Sequence, residues 1–215
     1  MLTPVSRQRG MTIVELMVTL TLLGLLMIAA LPSIGTWLRN NEIRTVAEAL
    51  LAGLQKARSE AVRRNDIVLF SMVSANATSK LLDASCALSS GSGAWVVSLD
   101  SPAGLCDKAN SETTTPRIID RYATNEGGRN AVVSVLAVDA TNGNCGAMVA
   151  RSQIAFDGYG RLDTKTIAQP IRCIEVSHPD DGSVRLRLVI GTGGTLRLCD
   201  PTLAATSTDP RRCVL

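Results

Sequence analysis

The chain has 215 residues, 46% of them hydrophobic and 19% charged, which excludes an intrinsically disordered protein and allows one globular core. Its formal charge of +3 falls to +1 once Arg7 and Arg9 at the amino end are set aside, so no strongly basic surface is spread over the whole chain. Six cysteines accompany one histidine and no Cys-x-x-Cys occurs, so the pattern favours disulfides in an oxidising compartment over a zinc site, and no metal or cofactor is expected.

The first element runs from a short basic leader into Gly10 and then an apolar span, Met11 to Leu31, in which Glu15 is the only ionisable residue. Roughly 20 apolar residues suffice for a helix to cross a bilayer core of roughly 30 Å. A carboxylate in such a span costs roughly 2.5 to 3.5 kcal/mol on insertion scales, so it is retained for a partner or a function. Arginines before the span, with nothing comparable just after it, place the leader on the cytoplasmic side and the rest outside. This predicts a single-pass membrane protein whose large domain is periplasmic or extracellular. A competing reading is an ordinary secretory signal, with Ile28-Ala29-Ala30 near a cut, releasing a soluble binding module. Against it stand the length of the apolar run and the glutamate near its start.

Gly10, Thr12 and Glu15 at this spacing resemble the class III leader of type IV pilins and type II secretion pseudopilins. The resemblance implies that a prepilin peptidase cuts between Gly10 and Met11 and that Met11 is then N-methylated. It also implies that Glu15 pairs with the amino terminus of a neighbouring subunit during assembly. Met11 stands where phenylalanine is usual in that family. Gly24 and Pro32 fall where many pilins carry glycine and proline, in the part of the helix that loosens in a filament. A proline inside a helix removes a hydrogen bond, so the helix is expected to kink or loosen at Pro32. The alternative there is a helix end at the membrane surface, with Pro32, Ser33 and Gly35 forming a link.

From Trp37 onward, Ile43, Val46, Leu50, Leu54, Ala57 and Ala61 recur at spacings of three and four, with Arg39, Glu42, Arg44, Glu48, Arg58 and Arg63 mostly between them. This predicts an amphipathic helix of about seven or eight turns. It should end near Asn65-Asp66, whose side chains compete with helical hydrogen bonds. The segment Ala57 to Asn65 resembles the helix end of the GspH/FimT group of minor pilins and pseudopilins. The organisation expected is thus a leader at 1–10, a membrane or filament-core helix at 11–31, an amphipathic helix at 32–65 and a β-rich domain at 66–215.

Downstream the apolar period becomes two. Ile67–Val73, Ala94–Leu99, Arg117–Tyr122, Ala131–Val138, Ser152–Phe156, Ile171–Val176, Val184–Ile190 and Thr195–Cys199 read as strands. Turn-forming pieces separate them, among them Ser89–Gly93, Asn125–Gly128, Thr141–Gly143 and Asp180–Gly182. An antiparallel sheet or pair of sheets follows. Val184, Leu186, Leu188 and Ile190 alternate with Arg185, Arg187 and Val189, which gives one face for the helix and one for water. Gly191-Thr-Gly-Gly194 lacks the lysine and following helix of a phosphate cradle and reads as a hairpin turn. The segments Ile154–Leu162, Leu196–Pro201 and Asp209–Cys213 again resemble GspH/FimT members, while Ala75–Glu112 reads as a variable loop or insertion. The fold class expected is α+β and pilin-like, a long N-terminal helix on an antiparallel β domain.

Cys199 and Cys213 bracket a polar, proline-bearing tail. A bridge there closes a loop of about 15 residues and stabilises by roughly 3 kcal/mol in the chain-entropy account. Cys86 with Cys106 and Cys145 with Cys173 are assigned only by exclusion among the connectivities that six cysteines allow.

No catalysis is expected. His178, in Ser177-His-Pro-Asp-Asp-Gly182, reads as a loop histidine, and Asp180 and Asp181 as turn formers, with no convergent acid and base. Arg185, Arg187, Arg197, Arg211 and Arg212 offer a nucleic-acid surface, which some members resembling this group use in DNA uptake. Aromatic residues are only 3% of the chain, leaving few stacking platforms, and Asp200 and Asp209 dilute the tail's charge. The reading is a minor pilin that helps to start or cap a type IV pilus, partnered by other pilins and the prepilin peptidase. The alternative is a tip pseudopilin of a type II secretion system, and DNA capture ranks below both.

Overall fold

The computed structural model describes residues 10–139, 144–179, 183–204 and 206–213, without the side chains of 29–33. It divides into two units, Met1–Leu38 and Arg39–Leu215.

One helix, α1, spans Ile13–Arg64 and is continuous through Gly24 and Pro32. The alternative of a helix end at Pro32 is therefore replaced by an unbroken element, because the chain beyond Pro32 has helical periodicity of its own. Ile43, Val46, Leu50, Leu54, Ala57 and Ala61 are all fully buried, whereas Trp37 is 62% exposed, so the apolar stripe begins at Ile43. The helix stops in a Schellman turn. Asn65 takes a φ of 50°, the Asn65 N–H donates to Val62 O and the Asp66 N–H to Ala61 O.

Among the described residues nine strands form two antiparallel sheets. In chain order they are β1 (Val68–Met72), β2 (Trp95–Ser98), β3 (Ile118–Tyr122), β4 (Val132–Val138), β5 (Cys145–Met148), β6 (Gln153–Phe156), β7 (Cys173–Ser177), β8 (Leu186–Ile190) and β9 (Leu196–Cys199). The first sheet has the order β3-β2-β1-β6 and the second β5-β4-β7-β8-β9. One shared core joins the helix stripe to both, through Phe70, Val97, Ile154 and Phe156 of the first sheet and Val133, Ile174, Leu188 and Ile190 of the second.

Two expectations are corrected. Strand β5 had no alternating signal, since Cys-Gly-Ala-Met is short, small-sided and mostly exposed at a sheet edge. Val189 is buried and does not meet water, because the register sets it beside Cys173, whose disulfide to Cys145 covers that face. The segment Ala75–Glu112 carries the expected strand at Ala94–Leu99 as β2, an interior strand of its sheet. It also contributes Cys86, Ala94, Val96 and Cys106 to a second small core with Val73 and Ile118.

Three disulfides join Cys86 to Cys106, Cys145 to Cys173 and Cys199 to Cys213. The turn Asp157–Arg161 docks on the helix end, where Arg58 Nε donates to Gly160 O at 3.0 Å. Gly160 and Gly194 both have positive φ, and a Cβ on Gly194 would lie 1.9 Å from Gly160 O, so the β8–β9 turn meets that docked turn by backbone contact.

Candidate functional site

The amino-terminal unit presents the residues expected to act in processing and assembly. Gly10, Met11 and Thr12 precede the helix, and Met11 is 69% exposed, so the Gly10–Met11 bond lies on open, non-helical chain. Thr12 caps the helix, its Oγ1 accepting the Glu15 N–H at 3.2 Å. Glu15 therefore stands in the first turn, where a carboxylate also complements the helix dipole. The Thr-x-x-Glu spacing was present in the sequence, and the first-turn position gives the Glu15 carboxylate a local role towards the helix dipole beside the one the leader pattern implies.

Every large apolar side chain from Met11 to Ile28 is at least half exposed. A helix apolar on all sides calls for apolar surroundings on all sides. Thr19 and Thr21 donate their hydroxyls back to Leu16 O and Val18 O, each at 2.9 Å, which removes two polar groups from that surface. Among the described residues no helix is long and apolar enough to cross a membrane. The described side chains of this stretch stop at Ile28, short of the Leu31 that ends the expected span. The side chain of Pro32 also lies outside them.

At the other end of α1, Glu60 is the one charged side chain in the core of Arg39–Leu215 among the described residues, and sequence reasoning did not single it out. Arg63 donates to it at 2.6 and 3.0 Å and Arg64 at 2.9 Å, while Lys56 lies 3.6 Å away. Hydrogen bonds from Arg63, partly opposed by burial and assisted by Arg64, hold its carboxyl down to about 2. The signal was legible as three cations at spacings of three and four around one glutamate in the last helical turns.

The arginines considered for nucleic acid are mostly engaged within their own domain. Arg187 donates to Glu175 at 2.5 Å, and Arg185 lies 3.9 Å from the same carboxylate. Arg197 donates to Pro210 O, and Arg211 pairs with Asp209 at 2.7 Å. Arg212 bridges to Asp200 by backbone. Arg185 and Arg211 meet, with Arg44, in a cleft of about 280 Å³ that also carries Glu48 and Asp200. His178 is half-buried after β7, and Asp180 and Asp181 lie outside the described residues. Among the described residues no group of three or more His, Cys, Asp and Glu is placed to hold a metal ion.

Two crystal structures of the type IV minor pilin FimU of Pseudomonas aeruginosa strain PAO1 are similar to this chain at 16% identity, with TM-scores of 0.43 and 0.45. They cover 76% and 78% of this chain and 98% and 95% of their own. No curated protein sequence matches it. Residues 5–31 match the prokaryotic N-terminal methylation motif. Residues 46–215 match the family described as type II transport protein GspH, and because that match spans most of the chain, the protein belongs to the GspH family of pilin-like proteins.

Proposed function

We propose that the protein is a minor pilin of a type IV pilus, processed at the Gly10–Met11 bond and built into the filament through α1. The observation that carries this reading is the junction itself, an accessible bond on non-helical chain next to the helical stretch Ile13–Ile28, whose large apolar side chains are all exposed and whose one carboxylate is Glu15. An uncompensated carboxylate is costly in apolar surroundings, and a neighbouring subunit's new amino terminus is a cation of matching reach. Before assembly the precursor sits in the inner membrane as a single-pass protein, its β domain in the periplasm and its leader in the cytoplasm. Gly24 and Pro32 are the positions where α1 loosens on packing. The domain plan of leader, core helix, amphipathic helix and β domain serves this cycle, and no chemistry beyond assembly is assigned to it.

A second reading, a tip pseudopilin of a type II secretion system, is supported by the description of the matching family as a type II transport protein. Both machines use the same helix physics. DNA capture ranks lower, because Arg187, Arg197 and Arg211 are occupied by acceptors of their own domain.

Amino-terminal mass spectrometry in cells with and without a prepilin peptidase tests the processing step. The expected mature chain begins with N-methylated Met11 and is missing without the peptidase. A mature chain beginning near Leu31 would overturn the proposal in favour of a released binding module.

A further inference from the structure

A second cleft of the unit Arg39–Leu215 has an unbalanced charge. It occupies about 240 Å³ between the loop after β1 and the loop before β4. Lys80, Arg129, Ser74, Ser89, Ser92 and Thr124 line it, together with the backbone of Gly91, Gly93 and Gly128. No carboxylate belongs to the lining. Glu42, outside the lining, accepts the Asn130 N–H at 2.7 Å, and Glu42 and Glu126 both act on Tyr122. Among the described residues neither Lys80 nor Arg129 has an ion-pair partner, whereas Arg63, Arg64, Arg117, Arg161, Arg187 and Arg211 are each paired with a carboxylate.

The hydroxyls reinforce the asymmetry. Ser74 Oγ accepts the Ala87 N–H at 2.9 Å, Ser89 Oγ accepts the Gly91 N–H at 3.3 Å and Ser92 Oγ accepts the Ala94 N–H at 3.1 Å. Each hydroxyl thereby accepts one bond and keeps its O–H as a donor, with one lone pair besides. Two cations and three such donors around one small cavity make a site of net positive charge, rich in donors and without a built-in anion. Close packing holds the floor, since a Cβ on Gly128 would lie 2.1 Å from Val46 Cγ2 and one on Gly93 would lie 3.0 Å from Val46 Cγ1.

We propose that this cleft binds a phosphate dianion, either free or as the terminal group of a soluble phosphate monoester. Lys80 and Arg129 supply charge-assisted hydrogen bonds and the serine hydroxyls the remaining donors. A dianion matches the two cations, and the cavity lies below the roughly 300 Å³ at which sites for larger organic ligands begin.

The test is titration calorimetry of the full chain in non-ionic detergent with inorganic phosphate, glucose 6-phosphate and glucose, at ionic strength matched with sodium chloride. Saturable phosphate binding is expected. Lys80→Gln and Arg129→Gln should each weaken it about tenfold, while Arg151→Gln, outside the cleft, leaves it unchanged. Tighter binding of glucose 6-phosphate than of phosphate would identify the monoester as the ligand form, and weaker binding would identify the free ion. Unchanged unfolding temperatures of the variants without phosphate, and loss of phosphorus NMR line broadening in both, separate lost binding from lost folding. No saturable binding, or the same weakening in Arg151→Gln, would overturn the proposal.

Discussion

Trp95 lies across Gly53 so closely that a Cβ on the glycine would come within 2.6 Å of the indole Cε2. The ring cannot yield easily, because it is buried between Phe70, at 5.7 Å between centroids, and Tyr122, at 6.1 Å. Gly53→Ala gains up to about 1 kcal/mol of helix propensity but incurs an overpacking cost of about 1 to 3 kcal/mol. The expected result is a net loss of about 1 to 2 kcal/mol in urea unfolding, with reduced near-ultraviolet tryptophan ellipticity. A stabilised variant would show that the indole has room to move.

The Tyr122 hydroxyl is buried and, among the described residues, has no hydrogen-bond partner. Desolvation, with Glu126 and Glu42 adding to it, pushes its ionisation above the ordinary phenol value. Removing an unpaired buried polar atom relieves a cost on the order of 1 kcal/mol, so Tyr122→Phe should raise the thermal midpoint. A lower midpoint would reveal a partner for the hydroxyl, such as a bound water.

Glu60 ties stability to acid. Its folded value of about 2 lies below the ordinary 4.5, so its contribution is complete above the ordinary value and is lost as pH falls towards the folded one. With the Arg63 side chain 59% exposed, that contribution is about 2 kcal/mol. Glu60→Gln should therefore be less stable than the parent at neutral pH, and the gap should close near pH 2. An equal gap at both pH values would mean that shape, not charge, matters there.

The three disulfides should not respond alike. Cys86 is 4% and Cys106 0% exposed, inside the second small core. Replacing both by serine removes the cross-link and also puts hydroxyls among apolar groups, so the loss should exceed the roughly 3 kcal/mol expected for the Cys199–Cys213 tail loop. Peptide mapping after mild reduction of the folded protein should likewise leave Cys86–Cys106 intact longest. Equal loss and equal reduction would argue against the burial of that pair.

The two roles open to Glu15 can be separated. Thr12→Ala removes the helix cap, at a cost of about 1 kcal/mol, and leaves the charge. Glu15→Ala removes the charge. If the carboxylate docks on a neighbour's amino terminus, Glu15→Ala should be cleaved after Gly10 yet be depleted from sheared filaments, with Thr12→Ala retained. Depletion of both variants alike would make the helix start, not the charge, the determinant.

How far the sequence revealed these features depends on how local their causes are. The helix stripe from Ile43 to Ala61 and its stop at Asn65 follow from periodicity and turn chemistry a few residues wide, and both are seen in the structure. Eight of the nine strands follow from period-two runs in the same way, while β5 lacks them. Strand order was not legible, since β1 pairs with both β2 and β6, and pairing at that distance leaves no local signature. The cation-rich cleft was equally hidden, because Lys80 and Arg129 are far apart in sequence and meet only in the folded chain.

The place of β1 governs the order in which the chain can complete itself. It leaves the helix at Val68, yet one of its two neighbours, β6, begins only at Gln153. Synthesis runs from the amino end, so Ile43, Leu50 and Leu54 exist as an incompletely covered apolar stripe while more than a third of the chain is still to come. The interval before Gln153–Phe156 arrives is when a newly made subunit is most exposed to proteolysis or to premature pairing along the open edge of β1.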